Sequence, residues 1–308
     1  MNADALSVWS EIAPEWDEGM GRDGNVFWEV LEKPTLERMF AESRAKPDQS
    51  VKALDISTGN GLTARWLTSY LSGTGEYQNE NGGTVEVTAT DGSDVMLERA
   101  RGWAAEHADV TPEQRALKFA KLDVTSDEAF LPFYASPSSP AYDAILMNMV
   151  IMDVPTLEPV AAALPHLLRV GGIFVGSLLH PIFVTPRTRR QLEVVHDYDN
   201  DGGDDRSADK TTTTIKRSVR LDAYLNVKPW RGFAWSGQSR AQYYFHRPLH
   251  ELFGTFLKGG QLALDSLEEP NFTAEQAAAD KGASQRVESG KNYTEFPIFL
   301  YFRLRRIR

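Results

Sequence analysis

Length, composition and charge narrow the class of protein. The chain has 308 residues, of which 42% are hydrophobic, enough for one large core. It carries 33 Lys and Arg against 43 Asp and Glu, a formal net charge of -10, which disfavours electrostatic attachment to nucleic acid or anionic lipid. The chain has no cysteines, which excludes disulfides, Cys-ligated zinc and thiolate nucleophiles.

The amino end lacks the pattern of a secretory signal, because acids stand in residues 1–20 where such a signal carries Lys or Arg. No apolar run approaches the ~20 residues that a membrane span needs. We therefore expect a cytoplasmic protein whose partner is a small molecule, with no membrane or nucleic-acid partner.

Strand-like and helix-like runs alternate along most of the chain, which predicts βαβ units, a parallel sheet and right-handed crossovers. Amphipathic helical segments such as 93–107 and 156–170 lie between the strand-like runs. Strands are predicted over residues 51–56, 84–90, 117–122, 142–147 and 172–178. Helix-like 247–257 then separates two further strand candidates, 261–267 and 295–305, which would complete the sheet as an edge pair.

Two polar insertions, 72–83 and 197–214, have turn-forming and disorder-promoting composition and are predicted to be loops. The second opens like a calcium loop, D-x-D-x-D-G from Asp197. Its twelfth position is Ala208 instead of a bidentate Glu, and Thr-rich sequence follows where a helix should begin. A solvated acidic loop is therefore favoured, and no metal site is predicted.

A glycine turn follows the first predicted strand and is a candidate ligand site. From Gly59, "GNGLTA" fits the G-x-G-x-x-G/A pattern that places a pyrophosphate on a helix N-terminus. Asp55, at the end of that strand, would repel an anionic ligand and attract a cationic one. A nicotinamide-dependent oxidoreductase is thereby disfavoured, and the chain also lacks a recognisable Tyr-Lys or His-Asp arrangement for hydride transfer.

Acids also end the second and third predicted strands. Asp91 is placed to accept both ribose hydroxyls of a nucleoside, although it could instead cap the following helix. Asp123 ends the third strand and could likewise be only a cap. Because the carboxyl ends of parallel strands line one crevice, three acids at three successive strand ends predict one shared site.

The turn resembles the first motif of the class I S-adenosylmethionine-dependent methyltransferases, in which an acid and a small residue precede Gly-x-Gly. The matching residues here are Asp55, Ser57, Gly59 and Gly61. Ser57 replaces a usual Gly, and we expect its φ to be negative. The segments "NMVIMDVP", "RVGGIFVGSLLHP" and "YYFHRPLHELF" resemble a bacterial and fungal group of small-molecule methyltransferases. The resemblance covers nearly all of the chain except the two polar insertions.

The resemblance implies a Rossmann-like α/β fold, with a mostly parallel seven-stranded sheet, helices on both faces, a helical N-terminal lid and an insertion after the fifth strand. It divides the chain into a lid (1–45), an S-adenosylmethionine-binding core (46–180), a substrate-side insertion (181–247) and a C-terminal helix and strand pair (248–308).

The resemblance also implies the cofactor, S-adenosyl-L-methionine, with S-adenosyl-L-homocysteine as product. Asp123 would accept the adenine amino group, the Val124 N–H would face the base, and Asn148 and Met149 would lie beside the methionine part. The candidate cofactor-binding residues are Asp55, Ser57, Gly59, Gly61, Asp91, Gly92, Met96, Asp123, Val124, Asn148 and Met149.

The acceptor side is less constrained, because a sulfonium already activates its methyl group and a base helps only when the acceptor must lose a proton. The candidate catalytic residues are His180, His246 and Asp153, and a structural hydrogen-bonding role is the alternative for the histidines. The candidate substrate-binding residues are Trp16, Trp28, Met152, His180, Tyr243 and His246. Aromatic residues at the amino end and at Trp230, Phe233 and Trp235 could wall an acceptor pocket under a mobile lid, or simply pack in the core.

The predicted function is methyl transfer from S-adenosylmethionine to O, N or C of a small organic molecule by in-line displacement. One alternative keeps the methyltransferase fold without methyl transfer, as a cyclase or a regulatory binding partner. The basic tail "RLRRIR", residues 303–308, is interpreted as a solvated terminus instead of an RNA contact.

Overall fold

A seven-stranded sheet organises the computed structural model, which describes residues 2–46, 48–77, 83–105, 117–136, 141–198, 211–235, 237–279 and 294–308. The strands are β1 (Ser50–Ile56), β2 (Thr84–Asp91), β3 (Lys118–Lys121), β4 (Tyr142–Met147), β5 (Leu168–Leu179), β6 (Thr188–Tyr198), β7 (Thr211–Leu221), β8 (Trp230–Gly232), β9 (Gln242–Tyr244), β10 (Leu262–Glu268) and β11 (Phe299–Arg306). The sheet order is β10-β11-β5-β4-β1-β2-β3.

Strands β1 to β5 pair in parallel, and β11 runs antiparallel to both β5 and β10. The predicted mostly parallel sheet, closed by a C-terminal strand pair, is confirmed. The strand order reverses between β1 and β4, so their carboxyl ends border the crevice where open α/β sheets bind ligands.

Helices cover both faces of the sheet. They are α1 (Asn2–Met20), α2 (Lys33–Phe40), α3 (Leu62–Ser72), α4 (Asp94–Ala105), α5 (Asp127–Phe130), α6 (Glu158–Leu167), α7 (Leu249–Leu257) and α8 (Ala274–Ala279), with a π-helical turn at Trp28–Glu32. One core cluster holds Phe40, Leu67 and Phe299, and a second holds Phe174 and Phe256. Two separate cores explain why the central strands are apolar without alternation. No described helix is long and apolar enough to cross a membrane.

The second polar insertion is partly a β-hairpin, which corrects the loop prediction for 197–214. Strand β6 pairs with β7 in continuous antiparallel register from Thr188↔Leu221 to Tyr198↔Thr211. The Thr-rich run belongs to β7, because β-branched residues favour the extended backbone. Residues 199–210 of the acidic segment and 78–82 of the first insertion lie outside the described residues.

Candidate cofactor and acceptor site

The glycine turn after β1 contains three residues in the left-handed region: Ser57 (φ 60°), Gly59 (φ 58°) and Gly61 (φ 80°). The expectation that Ser57 has a negative φ is wrong, because the sharp reversal from β1 into α3 sets the backbone whatever side chain it carries. A Cβ on Gly61 would stand 3.0 Å from the Ala100 Cβ, so the close approach of α4 also requires glycine there.

Replacing Ser57 with glycine should therefore stabilise the protein. A non-glycine residue in the left-handed region costs about 1–2 kcal/mol, and the extra unfolded-state freedom of glycine offsets only about 0.5–1 kcal/mol of that gain. We expect Ser57→Gly to raise the thermal unfolding midpoint and Ser57→Ala, which keeps the strain, not to raise it. A lower midpoint for Ser57→Gly than for the parent would contradict this.

Asp55 ends β1 as a fully buried carboxyl group. Its Oδ2 accepts hydrogen bonds from the hydroxyls of Thr58 (2.6 Å) and Thr63 (2.7 Å), whereas Oδ1 has no partner among the described residues. Burial raises the pKa of Asp55 to about 7, against those two hydrogen bonds, and the nearby Asp91 raises it further. A buried, half-satisfied carboxyl is costly, and a donor or cation from a ligand would relieve it.

Asp91 connects the end of β2 to the glycine turn. Its Oδ2 accepts from the Gly59 N–H (3.0 Å) and its Oδ1 from the Ser93 N–H (2.8 Å). Burial raises the pKa of Asp91 to about 6, against these backbone bonds. The hydroxyl that caps α4 is that of Ser93, which accepts from the Met96 N–H at 3.3 Å, so capping does not account for Asp91.

Two further predicted cofactor residues, Gly92 and Met96, follow Asp91 in the chain. The Cδ1 of Leu6, on α1, stands 3.0 Å from the place of a Cβ on Gly92. Met96 is buried on α4. A side chain at position 92 would therefore require the end of the Leu6 side chain to shift.

At the end of β3, Asp123 folds back on its own loop. Its Oδ1 accepts from the N–H (3.0 Å) and hydroxyl (2.6 Å) of Thr125, which is an Asx turn. Ser126 provides the N-cap of α5 through the Ala129 N–H, so Asp123 is not a helix cap. Val124 is buried beside it. All three acids thus end adjacent parallel strands, as the sequence predicts.

Helix α1 lies across the glycine turn. The Trp16 Nε1 is 3.8 Å from the place of a Cβ on Gly59, and the Trp16 ring contacts Trp9 (centroids 5.4 Å apart) and Trp235 (5.5 Å). Trp16 is half-buried, so these three indoles wall the glycine side of the crevice. A substrate-binding role for Trp16 stays a prediction.

Trp28 does not join that wall and is a correction to the predicted substrate set. It is 2% exposed and packs edge-on against Trp66 of α3 at 5.9 Å. The π-helical turn directs Trp28 into the core on the α3 face of the sheet, so its role is packing.

His180 and His246 have different environments. His180 is 1% exposed; its Nε2–H donates to Glu269 (2.7 Å) and its Nδ1 accepts from the Ile182 N–H (3.2 Å), so both ring nitrogens are occupied. His246 is half-buried, and its Nε2–H donates to the Tyr224 carbonyl (2.6 Å). Within the described chain no group donates to the His246 Nδ1. Burial lowers the pKa of both histidines, against the bonds at Nε2, so each is neutral at pH 7.

His246 lines a small apolar cavity at the carboxyl end of β5. The other lining residues include Met152, Leu178, Trp230, Tyr244 and Phe245. The Arg247 guanidinium at its edge is held by the carbonyls of Ile151 (3.1 Å) and Val154 (2.6 Å). Tyr243 lies outside this lining and stacks under the Arg231 guanidinium at 4.4 Å.

Asp153 lies in the short helical turn after β4 and is 7% exposed. Its Oδ1 has no partner in the described part of the chain, and burial raises its pKa well above the usual range. Burial therefore favours the protonated carboxyl, a form able to donate as well as accept. No cluster of metal-ligating side chains occurs among the described residues.

Two acids of this region, Asp17 and Glu32, were not identified from the sequence. Asp17 of α1 accepts from Asn60 of the glycine turn (2.9 Å) and from Arg99 (2.8 Å) and Trp103 (2.7 Å) of α4. Glu32 accepts from Asn148 at the end of β4 (2.8 Å). Both stand in an acid-rich amino-terminal segment, where their spacing does not distinguish them from solvated neighbours.

Comparison with known proteins shows that this chain is similar in fold to solved structures. No family model matches the chain, and no curated relative matches its sequence. Among solved structures, an S-adenosylmethionine-dependent methyltransferase from Mesorhizobium loti is 20% identical, with 93% of this chain and 100% of that chain covered and a TM-score of 0.56. The CcbJ methyltransferase from Streptomyces caelestis is 14% identical, with 96% of each chain covered and a TM-score of 0.52.

Proposed function

We propose that this chain, which has the fold of the class I S-adenosylmethionine-dependent methyltransferases, binds S-adenosylmethionine and transfers its methyl group to a small organic acceptor. The observation that carries the proposal is the Asp55 carboxyl, buried beside the left-handed glycine turn with one oxygen unpartnered. A cationic ligand with N–H donors would satisfy it, whereas a pyrophosphate would not.

The residues present fit this cofactor. Asp91 would accept the ribose hydroxyls, Asp123 and the Val124 N–H would face the adenine, and Asn148 and Met149 would border the methionine part. The Asp91 carboxylate already bonds Gly59, so it is fixed before a ligand arrives. Such preorganisation lowers the entropy cost of binding.

In the proposed mechanism the cofactor supplies an activated methyl group, and the protein aligns the acceptor and excludes water. The wall of Trp9, Trp16 and Trp235 would exclude water on the glycine side. His246 would take the proton from an acceptor O–H or N–H, because its Nε2–H is committed to Tyr224 and its Nδ1 lone pair is available. Asp153, whose protonated form is favoured by burial, would donate a hydrogen bond to the acceptor.

His180 has no unused ring nitrogen, so the contacts favour its structural role. A cyclase or regulatory role on the same fold is the second candidate function. It would use the same cofactor residues as methyl transfer, so these residues do not distinguish the two functions. Met152 and Tyr243 stay predicted acceptor contacts. The cavity beside His246 is apolar, and at about 10 Å³ it has room for about one water molecule, so it would have to widen to admit an acceptor.

The test is calorimetric titration of the purified protein with S-adenosylmethionine and S-adenosylhomocysteine, with NAD and NADP as controls. We expect binding of the adenosyl pair alone. Because the pKa of Asp55 is about 7 and that of Asp91 about 6, both acids are mostly protonated at about pH 5 and mostly ionised at about pH 8. Affinity for S-adenosylmethionine should therefore rise from pH 5.5 to pH 8, and binding near pH 6.5 should release protons.

Proton release is measured from the dependence of the binding enthalpy on the ionisation enthalpy of the buffer. Binding of NAD or NADP alone would contradict the proposed cofactor. Binding of none of the four by folded protein would contradict the site assignment. An affinity for S-adenosylmethionine that falls as pH rises would remove Asp55 and Asp91 from the site.

A further inference from the structure

A relay of buried polar groups joins the amino-terminal segment to the end of β4. Glu32, 6% exposed in the π-helical turn, accepts from the Asn148 Nδ2 at 2.8 Å. The Asn148 Oδ1 in turn accepts from the Ser177 hydroxyl at 2.7 Å, and the Ser177 oxygen accepts from the Met149 N–H at 2.8 Å. Three consecutive hydrogen bonds therefore fix residues 148–149 against both β5 and the amino-terminal segment.

The relay holds a strained backbone. Met149 has a φ of 53°, although its flexible side chain gives no local hydrogen bond that would favour the left-handed region. Such a conformation persists only where the surroundings over-determine it. The Met149 N–H is held by Ser177, whose own hydroxyl is oriented by Asn148.

Burying the Glu32 carboxyl group carries a desolvation cost that a purely structural role does not explain. Burial raises the pKa of Glu32 to about 7, against the hydrogen bond from Asn148. Tyr301 lies opposite Ser177 in the β5–β11 register, and its buried hydroxyl has no hydrogen-bond partner among the described residues. No Lys or Arg of the described chain forms an ion pair with Glu32. An apolar residue at this position would avoid the desolvation cost. The carboxyl group is therefore explained by the Asn148 amide that it orients.

We propose that Glu32 is a positioning residue of the cofactor site, which orients the Asn148 amide and thereby fixes the Asn148–Met149 turn. This rests on the proposed function, which places that turn beside the methionine part of S-adenosylmethionine. The amino-terminal segment is then a built-in part of the cofactor site as well as a cover for it.

The experiment is titration of S-adenosylmethionine into the parent, Glu32→Gln, Glu32→Ala, Ser177→Ala and the Glu32→Ala/Ser177→Ala double variant. Glutamine keeps an acceptor for Asn148, so its affinity should stay within about threefold of the parent. Each alanine variant should lose about tenfold, the cost of a broken buried hydrogen bond to a charged or polar partner. The double variant should lose little more than either single one, because both break the same relay.

Glu37 provides the matched control. It accepts from the Tyr77 hydroxyl at 2.6 Å and so joins α2 to the segment after α3, away from the relay. Glu37→Ala should change the unfolding midpoint without changing the affinity. Absence of binding by the parent would overturn the proposed function, whereas binding by the parent with unchanged affinity in Ser177→Ala and Glu32→Ala would overturn only the inference. Additive losses in the double variant would also overturn it.

Discussion

Asp91→Ala is expected to lower the affinity for S-adenosylmethionine by at least about a hundredfold. The variant removes the ribose acceptor and also frees the Gly59 and Ser93 N–H groups that the carboxylate now holds. Each hydrogen bond to a charged group is worth about 1.5–3 kcal/mol, so losing the two bonds to the ribose hydroxyls accounts for a change in affinity of this size. Titration calorimetry of the folded variant measures it.

Ser93→Ala is the matched control for Asp91→Ala. It removes the N-cap of α4, which costs about 1 kcal/mol of stability, and leaves the Asp91 carboxylate in place. Its affinity should therefore match that of the parent. Equal affinities of Asp91→Ala and the parent would show that the end of β2 is not part of the cofactor site.

Asp55→Asn removes the negative charge at the same site and keeps the size of the side chain. The amide is isosteric, so the glycine turn should persist while the negative charge is lost. We expect S-adenosylmethionine, which carries a sulfonium, to lose more affinity than S-adenosylhomocysteine, which does not. Equal losses for both ligands would mean that Asp55 acts through its hydrogen bonds to Thr58 and Thr63.

The sheet and the three acids could be predicted because they depend on local sequence. The sequence of a strand that is buried on both faces is a continuous apolar run. Its carboxyl end can be recognised because polar and small residues follow it. Asp55, Asp91 and Asp123 stand at those ends, and parallel pairing brings the ends to one edge. The position of the three acids at one edge of the sheet was therefore predictable from the sequence, and their shared role in binding stays a prediction.

The features that sequence missed depend on tertiary packing. The left-handed φ of Ser57 follows from the sharp reversal of the chain between β1 and α3, which no single residue type reveals. The burial of Trp28 depends on a π-helical turn that its helical spacing does not show. Glu32 differs from its solvated neighbours only because Asn148, 116 residues away, donates to it.

Asp17→Ala is the second substitution with a large expected effect, because Asp17 joins α1 to both the glycine turn and α4. Burial raises its pKa, but hydrogen bonds from Asn60, Trp103 and Arg99 outweigh burial and hold the pKa below the usual value. Removing the carboxylate leaves three donors, one of them charged, without their acceptor. We expect a loss of about 2–4 kcal/mol, seen as an unfolding midpoint lower by at least about 5 °C.

The control is Glu11→Ala, on the same helix. Glu11 also links α1 to the rest of the protein, through Arg240, but that ion pair is exposed to solvent and should contribute no measurable stability. Because Asp17 holds Asn60, which lies between Gly59 and Gly61, Asp17→Ala should also weaken S-adenosylmethionine binding. A lower midpoint with unchanged affinity would mean that α1 stabilises the fold while the glycine turn keeps its shape without it. Loss of both together would show that the helix completes the cofactor site.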